Sequence, residues 1–360
     1  MNLNYKKDLI CELFNIFKEG TFFGVILYII FKSKIKFFKI FNILNRKNSK
    51  SLALVGAGSH QVSINLPCAI KSHFLINYIF TNGSISSHYL SNLLKYSQVQ
   101  DKLKKIIRSD AVLIGSPHNL HPKHLKFFSN KNIYIYCEKP VAIDQRGIDL
   151  LKSYLDNKKI MVGFNRRFAP LIIKLKKSKI FFGETLEINY YVNFGNMVSN
   201  SLTDLKIGGG RLIGTCCHYV DLISYICESE IEYVSAFGSS KNNEISENNF
   251  TSIFKLKNGS VANLNFTSSG NRKIFPKESI YISGGGNLAK IYNFETLYLN
   301  KMKFKNYRNS YGSLNTWKKF YNAVSNNLKT EITLADGIKA TEITLAIKKS
   351  LNNNGKIQKL

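Results

Sequence analysis

From Ser51 onward, short apolar runs alternate with longer mixed segments. Runs at 51–56, 75–80, 111–115, 132–137 and 160–164 predict strands, and 60–71, 84–96, 118–129 and 144–157 predict the helices between them. Strands joined by helix-length connections pair in parallel, so this part predicts a doubly wound α/β sheet. After Arg167 the pattern changes. Segments 184–194, 231–238, 249–257, 260–268, 277–283 and 288–293 predict strands without intervening helices. Asn258-Gly259 between two such runs signals a hairpin. Gly284-Gly285-Gly286 reads as a hairpin or bulge, not a phosphate loop. With helices predicted at 214–227, 314–326 and 336–351, the second part is α+β with a mostly antiparallel open sheet. The resulting organisation is an extension over 1–50, an α/β domain over 51–165, an α+β domain over 166–332, and a helix and tail over 333–360 that pack back on the body.

The extension has its own pattern. An apolar run from Phe22 to Phe31 is about half the ~20 residues needed to cross a bilayer. On a helix, Phe37, Phe41 and Leu44 share one face while Lys32, Lys36 and Lys39 share another. That arrangement fits peripheral contact of residues 22–44 with an anionic membrane surface, or a helix packed on the body or on a partner subunit. Both readings stand at this level.

Composition narrows the classes. The chain has 360 residues, 44% hydrophobic and 12% aromatic, which suits a large folded core. Its formal charge of +28 favours acidic partners such as anionic lipid or phosphorylated small molecules. No basic block interleaved with stacking aromatics and no zinc-finger spacing occurs, so nucleic acid is not an expected partner. The six cysteines form no Cys-x-x-Cys pair, so no metal site is expected. Free, scattered cysteines suit a cytoplasmic protein.

Candidate chemistry then falls at strand ends. Gly56-Ala57-Gly58-Ser59-His60 joins a strand to a helix, where Gly56 permits the turn and Gly58 lets a pyrophosphate approach the helix N-terminus. The third small position of that fingerprint is filled by Gln61. After the second strand comes Thr81-Asn82-Gly83-Ser84, with no carboxylate to select a ribose hydroxyl, so NAD and NADP both stay open. Ser116-Pro117 follows the third strand. His118, His121 and His124 cluster behind it without a carboxylate or cysteine, which favours packing or capping over metal binding. Glu138-Lys139-Pro140 sets a lysine at the tip of the fourth strand, where its cation can stabilise a developing alkoxide. Gly208-Gly209-Gly210-Arg211 leads into a helix that carries His218 and Asp221 one turn apart. His218 suits proton transfer to or from a carbinol.

This ordered set resembles the Gfo/Idh/MocA oxidoreductases, the glucose–fructose oxidoreductase and inositol dehydrogenase type, over about residues 51–360. The resemblance implies a Rossmann domain, a second domain whose open sheet forms a homo-oligomer interface, and NAD or NADP as cofactor. It implies a sugar, polyol or nucleotide-sugar substrate. The family's catalytic lysine falls on Lys139 and its catalytic histidine on His218, with Glu138 expected to hold Lys139. Gly56, Gly58, Ser59, His60, Thr81, Asn82, Ser116, Pro117, His121, Glu138 and Asn165 are the expected cofactor contacts, and Arg166, Arg211, Asp221 and Lys277 the expected substrate contacts. One departure is Gly214, where the family often has Asp.

The stretches 162–170 and 275–278 look closer to a subgroup fused behind a zinc alcohol-dehydrogenase-like domain in surface-polysaccharide pathways, although residues 1–50 are too short for that domain. Three functions follow from the sequence. The first is hydride transfer to or from a sugar, the second a non-catalytic dinucleotide sensor or scaffold, and the third an adaptor at the inner face of the membrane.

Overall fold

The computed structural model describes residues 49–80, 97–195, 204–241, 244–272, 274–306 and 310–360, with 13, 24–26, 28, 29, 90, 91 and 94. It forms two compact units: Met1–Glu138 with Leu150–Asn165 and Gly312–Leu334, and Lys139–Asp149 with Arg166–Tyr311 and Ala335–Leu360.

The first unit is built on β1 (Lys50–Val55), β2 (Phe74–Phe80), β3 (Gln98–Gln100), β4 (Ala111–Ile114), β5 (Tyr134–Cys137) and β6 (Ile160–Val162). Their order is β3-β2-β1-β4-β5-β6 and every pairing is parallel. β4 and β5 are buried at all positions, as strands covered on both faces must be, which is why they read as unbroken apolar runs. The strand order reverses direction between β1 and β4. The loops leaving those strands therefore flank a crevice at the carboxyl edge, the place where such sheets take ligands. The Gly115 amide donates to the Val55 carbonyl at 2.9 Å and ties the two loops together.

Two features of this unit depart from the sequence pattern. β3 is a polar Gln-Val-Gln edge strand with no apolar run to announce it. The helix after β1 runs as a π-turn over Gln61–Asn65 before it becomes α-helical over Leu66–Lys71. The helix expected at 84–96 lies almost wholly outside the described residues. The helix Ser313–Asn326 also belongs to this unit. Its Trp317 is fully buried, stacked on Tyr136 at 4.4 Å and edge-on to Phe74 at 5.8 Å.

From the extension, Tyr28 is fully buried with Ile64, and Leu13 and Val25 pack against them. The lysine-bearing face over Lys32–Lys39 lies outside the described residues. No helix among the described residues is long and apolar enough to cross a membrane.

The second unit carries a nine-stranded sheet of order β14-β13-β12-β11-β7-β10-β9-β8-β15. Its strands are β7 (Glu187–Asn193), β8 (Ile231–Lys241), β9 (Glu244–Leu256), β10 (Val261–Thr267), β11 (Glu278–Gly284), β12 (Asn287–Tyr292), β13 (Thr296–Leu299), β14 (Met302–Lys305) and β15 (Gln358–Lys359). Only β7 with β10 is parallel. The Asn258-Gly259 and Gly285-Gly286 turns join antiparallel neighbours, as the sequence predicts. β13, β14 and β15 are short and unpredicted, two of them with lysines that blunt an edge. The helix Pro170–Ser178 is likewise unpredicted, with Pro170 at its first position. β7 alternates exposed and buried residues, so Ile188, Tyr190 and Val192 face the core. The helix Gly210–Cys227 packs on that face through Tyr219, whose ring lies 5.2 Å from Tyr190 and 6.3 Å from Phe266.

Candidate active site

In the first unit, Gly56 sits at φ +103°, a region that disfavours any residue with a Cβ. A Cβ there would also lie 2.6 Å from the Gly115 carbonyl oxygen, so both backbone geometry and space require glycine. Gly58, Ser59 and His60 are exposed, and a Cβ added at Gly58 would meet nothing within 4 Å. This open turn at a helix start fits a dinucleotide pyrophosphate, because early helix N–H groups lack intrahelical acceptors. Thr81 and Asn82 lie outside the described residues.

Gln61, which breaks the three-glycine fingerprint, is turned inward and 6% exposed. A Cβ on Gly115 would collide with the Gln61 side-chain amide at 2.1 Å, so glycine at 115 makes room for it. Gln61 accepts a hydrogen bond from Asn65 Nδ2 at 2.8 Å, and Asn65 also donates to Glu138 at 2.7 Å. Trp317 Nε1 completes the chain by donating to Asn65 Oδ1 at 2.9 Å. Asn65 and Trp317 carry no motif, so sequence reading passed over them.

This network corrects one expectation. The Glu138 carboxylate does not hold Lys139; it is 8% exposed and bonds Asn65, with His60 Nε2 3.8 Å away. A second correction concerns His121, which is wholly buried and bonded through Nε2 to the Ser116 carbonyl at 2.8 Å. It shapes the loop and leaves no surface exposed for a cofactor. Ser116 Oγ bonds His124 Nδ1 at 2.9 Å, while Pro117 is exposed beside it. Burial, reinforced by the neighbouring His121 and Lys123 charges, pushes the His124 pKa down to about 4. Asn165 is half-buried and donates to Ser313 Oγ at 3.0 Å.

In the second unit, Lys139 is joined to Pro140 by a cis peptide bond. Its ammonium donates to the Gly214 carbonyl at 3.0 Å. In a regular α-helix that carbonyl is the acceptor for the His218 amide, so the contact lies one turn from His218. His218 is half-buried on the same helix face as Gly214. The position that often carries Asp in the resembling family thus presents a backbone carbonyl to the lysine. Burial pushes the Cys217 thiol up to about 11, with the Lys139 charge opposing it only in part.

Two expected substrate contacts are reassigned. Arg166 is 5% exposed, and Nε and Nη2 bond both oxygens of the buried Glu278 at 2.9 and 2.6 Å. Tyr190 adds a hydroxyl bond to Glu278 at 2.5 Å. Burial raises the Glu278 pKa, but the Arg166 charge outweighs it and leaves the carboxyl below its ordinary value. Asp221 is 3% exposed and held by Arg167 at 2.5 and 3.0 Å, with Arg167 also reaching Asp336 at 2.9 Å. Burial outweighs Arg167 here and pushes the Asp221 carboxyl up to about 6. Arg166 and Asp221 are internal supports, because their charges are already committed.

Arg211 and Lys277 differ. Among the described residues Arg211 bonds the Ser268 hydroxyl alone, at 3.1 Å, and lies over the Phe194 ring at 5.1 Å. The Lys277 ammonium reaches the same ring at 5.7 Å and the Tyr311 ring at 4.9 Å. Among the described residues no group of His, Cys, Asp and Glu is arranged to hold a metal ion.

Residues 38–165 match a family described as an oxidoreductase family with an NAD-binding Rossmann fold, and residues 181–285 match the GFO/IDH/MocA C-terminal domain. Inositol 2-dehydrogenase of Rhizobium meliloti (strain 1021) is 38% identical over 80 residues, 22% of this chain and 24% of that protein. A second curated relative is covered over 39% of its length, so the chain spans well under half of these relatives. Among solved structures, the WlbA dehydrogenase from Bordetella pertussis, in complex with NADH and UDP-GlcNAcA, has a TM-score of 0.71 at 17% identity, covering 87% of this chain and 99% of that one. Levoglucosan dehydrogenase, in complex with NADH and levoglucosan, gives 0.73 at 15% identity with coverages of 87% and 99%. At such identities the likeness shows a shared fold.

Proposed function

The chain belongs to the Gfo/Idh/MocA oxidoreductases and carries their NAD-binding Rossmann domain, and on that premise we propose that it transfers a hydride to or from a carbinol carbon of a sugar, polyol or nucleotide-activated sugar. The observation that carries this reading is the Lys139 ammonium on the Gly214 carbonyl, one turn from His218. The relatives named for inositol, levoglucosan and UDP-GlcNAcA support the substrate class.

Gly56, Gly58, Ser59 and His60 would hold the dinucleotide, NAD or NADP, at the open turn. Bound there, it supplies or accepts the hydride. Lys139 donates a hydrogen bond to the substrate oxygen and stabilises the negative charge that grows on it. His218 takes the carbinol proton during oxidation and returns it during reduction. Glu138 acts at a distance, fixing the strand tip through Asn65. An oligomer over the outer face of the open sheet belongs to the same reading, because Phe237, Ile253 and Leu288 are 63%, 57% and 55% exposed there.

The test incubates purified protein with NAD or NADP and a panel of sugars, polyols and nucleotide sugars, following nicotinamide absorbance. Reduction with at least one of them is expected. Failure to bind any nicotinamide form overturns the reading. Binding without turnover across the panel supports a non-catalytic dinucleotide protein, which Gly214 in place of Asp favours.

A further inference from the structure

We propose that Arg211, with Lys277 beside it, forms a site for an anionic group of the substrate, a carboxylate or a phosphate. This rests on the dehydrogenase reading and narrows its substrate class.

Three arginines in the second unit, Arg166 and Arg211 buried and Arg167 half-buried, make the case by contrast. Arg166 and Arg167 each carry a carboxylate on two nitrogens. Arg211 is 9% exposed and, among the described residues, has no carboxylate within ion-pair distance and one hydrogen bond, to the neutral hydroxyl of Ser268. A nearly buried guanidinium without a counter-charge is costly, and an aromatic face compensates only part of that cost. Burial alone lowers its pKa, with no carboxylate raising it.

A second cation converges on the same place, since Lys277 reaches the Phe194 ring that Arg211 covers. A third lies alongside: the Arg272 stem crosses Gly195, where a Cβ would meet Arg272 Cδ at 2.6 Å. The adjacent acid, Glu278, is bonded by Arg166 and also feels the Lys277 charge. Phe194 is thus covered by the Arg211 guanidinium, which no carboxylate of the described residues meets within ion-pair distance, with the Lys277 ammonium over the same ring. A planar guanidinium with flanking ammonium suits two oxygens of a carboxylate or phosphate.

The helix sets the spacing. Arg211, Gly214 and His218 stand at i, i+3 and i+7 on one face, so Arg211 and His218 are separated by about 10 Å along the axis. A sugar whose anionic group is a few bonds from the reacting carbinol fits this separation.

The experiment titrates the full chain calorimetrically at low ionic strength with NADH present, using D-glucose, D-glucuronate, D-glucose 1-phosphate and UDP-glucose as probes. NADH is titrated first. Absence of NADH binding strikes the dehydrogenase reading, whereas NADH binding without any preference for an anionic probe strikes this proposal alone. The expected result is that at least one anionic probe binds tenfold or more tighter than glucose. Arg211→Gln and Lys277→Met should each remove most of that advantage without weakening glucose. Preference for glucuronate identifies a carboxylate, and preference for the phosphorylated probes identifies a phosphate. Anionic probes that bind no tighter than glucose overturn the site. So does an advantage that survives both substitutions. Should Arg211→Gln fail to fold, the half-exposed Lys277→Met and the wild-type salt dependence decide the matter, since a true ion site weakens as salt rises.

Discussion

At the Gly56–His60 turn the first unit offers glycine backbone and open helix N–H groups, whereas the second unit offers side-chain charge along one face of Gly210–Cys227. The polar side chains behind the turn, Gln61, Asn65 and Glu138, are bonded to one another. They set shape and present nothing outward. In the second unit the charged side chains fall into two groups. Arg166 with Glu278, and Arg167 with Asp221 and Asp336, are closed pairs. Among the described residues, Lys139 and Arg211 bond only neutral oxygens. The difference separates cations committed to a carboxylate from those that, among the described residues, are not, and the proposed chemistry rests on the second group.

Substitutions can break this contrast. The largest effect is expected from Lys139→Ala and His218→Ala, each lowering turnover by about 10²–10⁴-fold in steady-state assays while circular dichroism stays native. Glu278→Gln comes next. It strands a buried guanidinium, and urea unfolding should show a loss of about 3–5 kcal/mol. A loss below about 1 kcal/mol would mean that Arg166 finds another partner. Gly56→Ala should weaken dinucleotide binding at least tenfold, because φ +103° and the 2.6 Å approach to Gly115 forbid a Cβ without moving the turn.

The smallest effect is in pH dependence. His124 has its pKa pushed down to about 4 in the folded protein from an ordinary value of 6.5, so below pH 6.5 the unfolded chain binds a proton that the folded chain refuses. Stability therefore falls as pH drops from 6.5 toward 4. His124→Asn should flatten the melting-temperature slope in that window, and an unchanged slope would remove His124 as its source.

Much of this was legible in the chain, for physical reasons. Strands buried on both faces announce themselves as apolar runs, and hairpin glycines mark turns that only glycine tolerates. β3 escaped because a polar edge strand has no such run, and the π-turn over Gln61–Asn65 has no sequence signature. The site was legible as residue types at strand ends, and less so as roles. Glu138 next to Lys139 looks like an ion pair on paper, yet its carboxylate serves Asn65. His121, Arg166 and Asp221 looked available because sequence does not show burial or who neutralises whom. Partners such as Glu278, 112 residues from Arg166, meet only in the folded sheet.

The central claim is a division of labour, with one unit holding the dinucleotide and the other carrying the groups that act on the substrate. Nicotinamide fluorescence titration of wild-type protein and Lys139→Ala, read beside turnover of the same samples, tests it most directly. The account predicts saturable binding in both, with affinities within about threefold, and turnover lost only in the variant. Absence of saturable NADH and NADPH binding in the wild type, or turnover retained by Lys139→Ala, would contradict it.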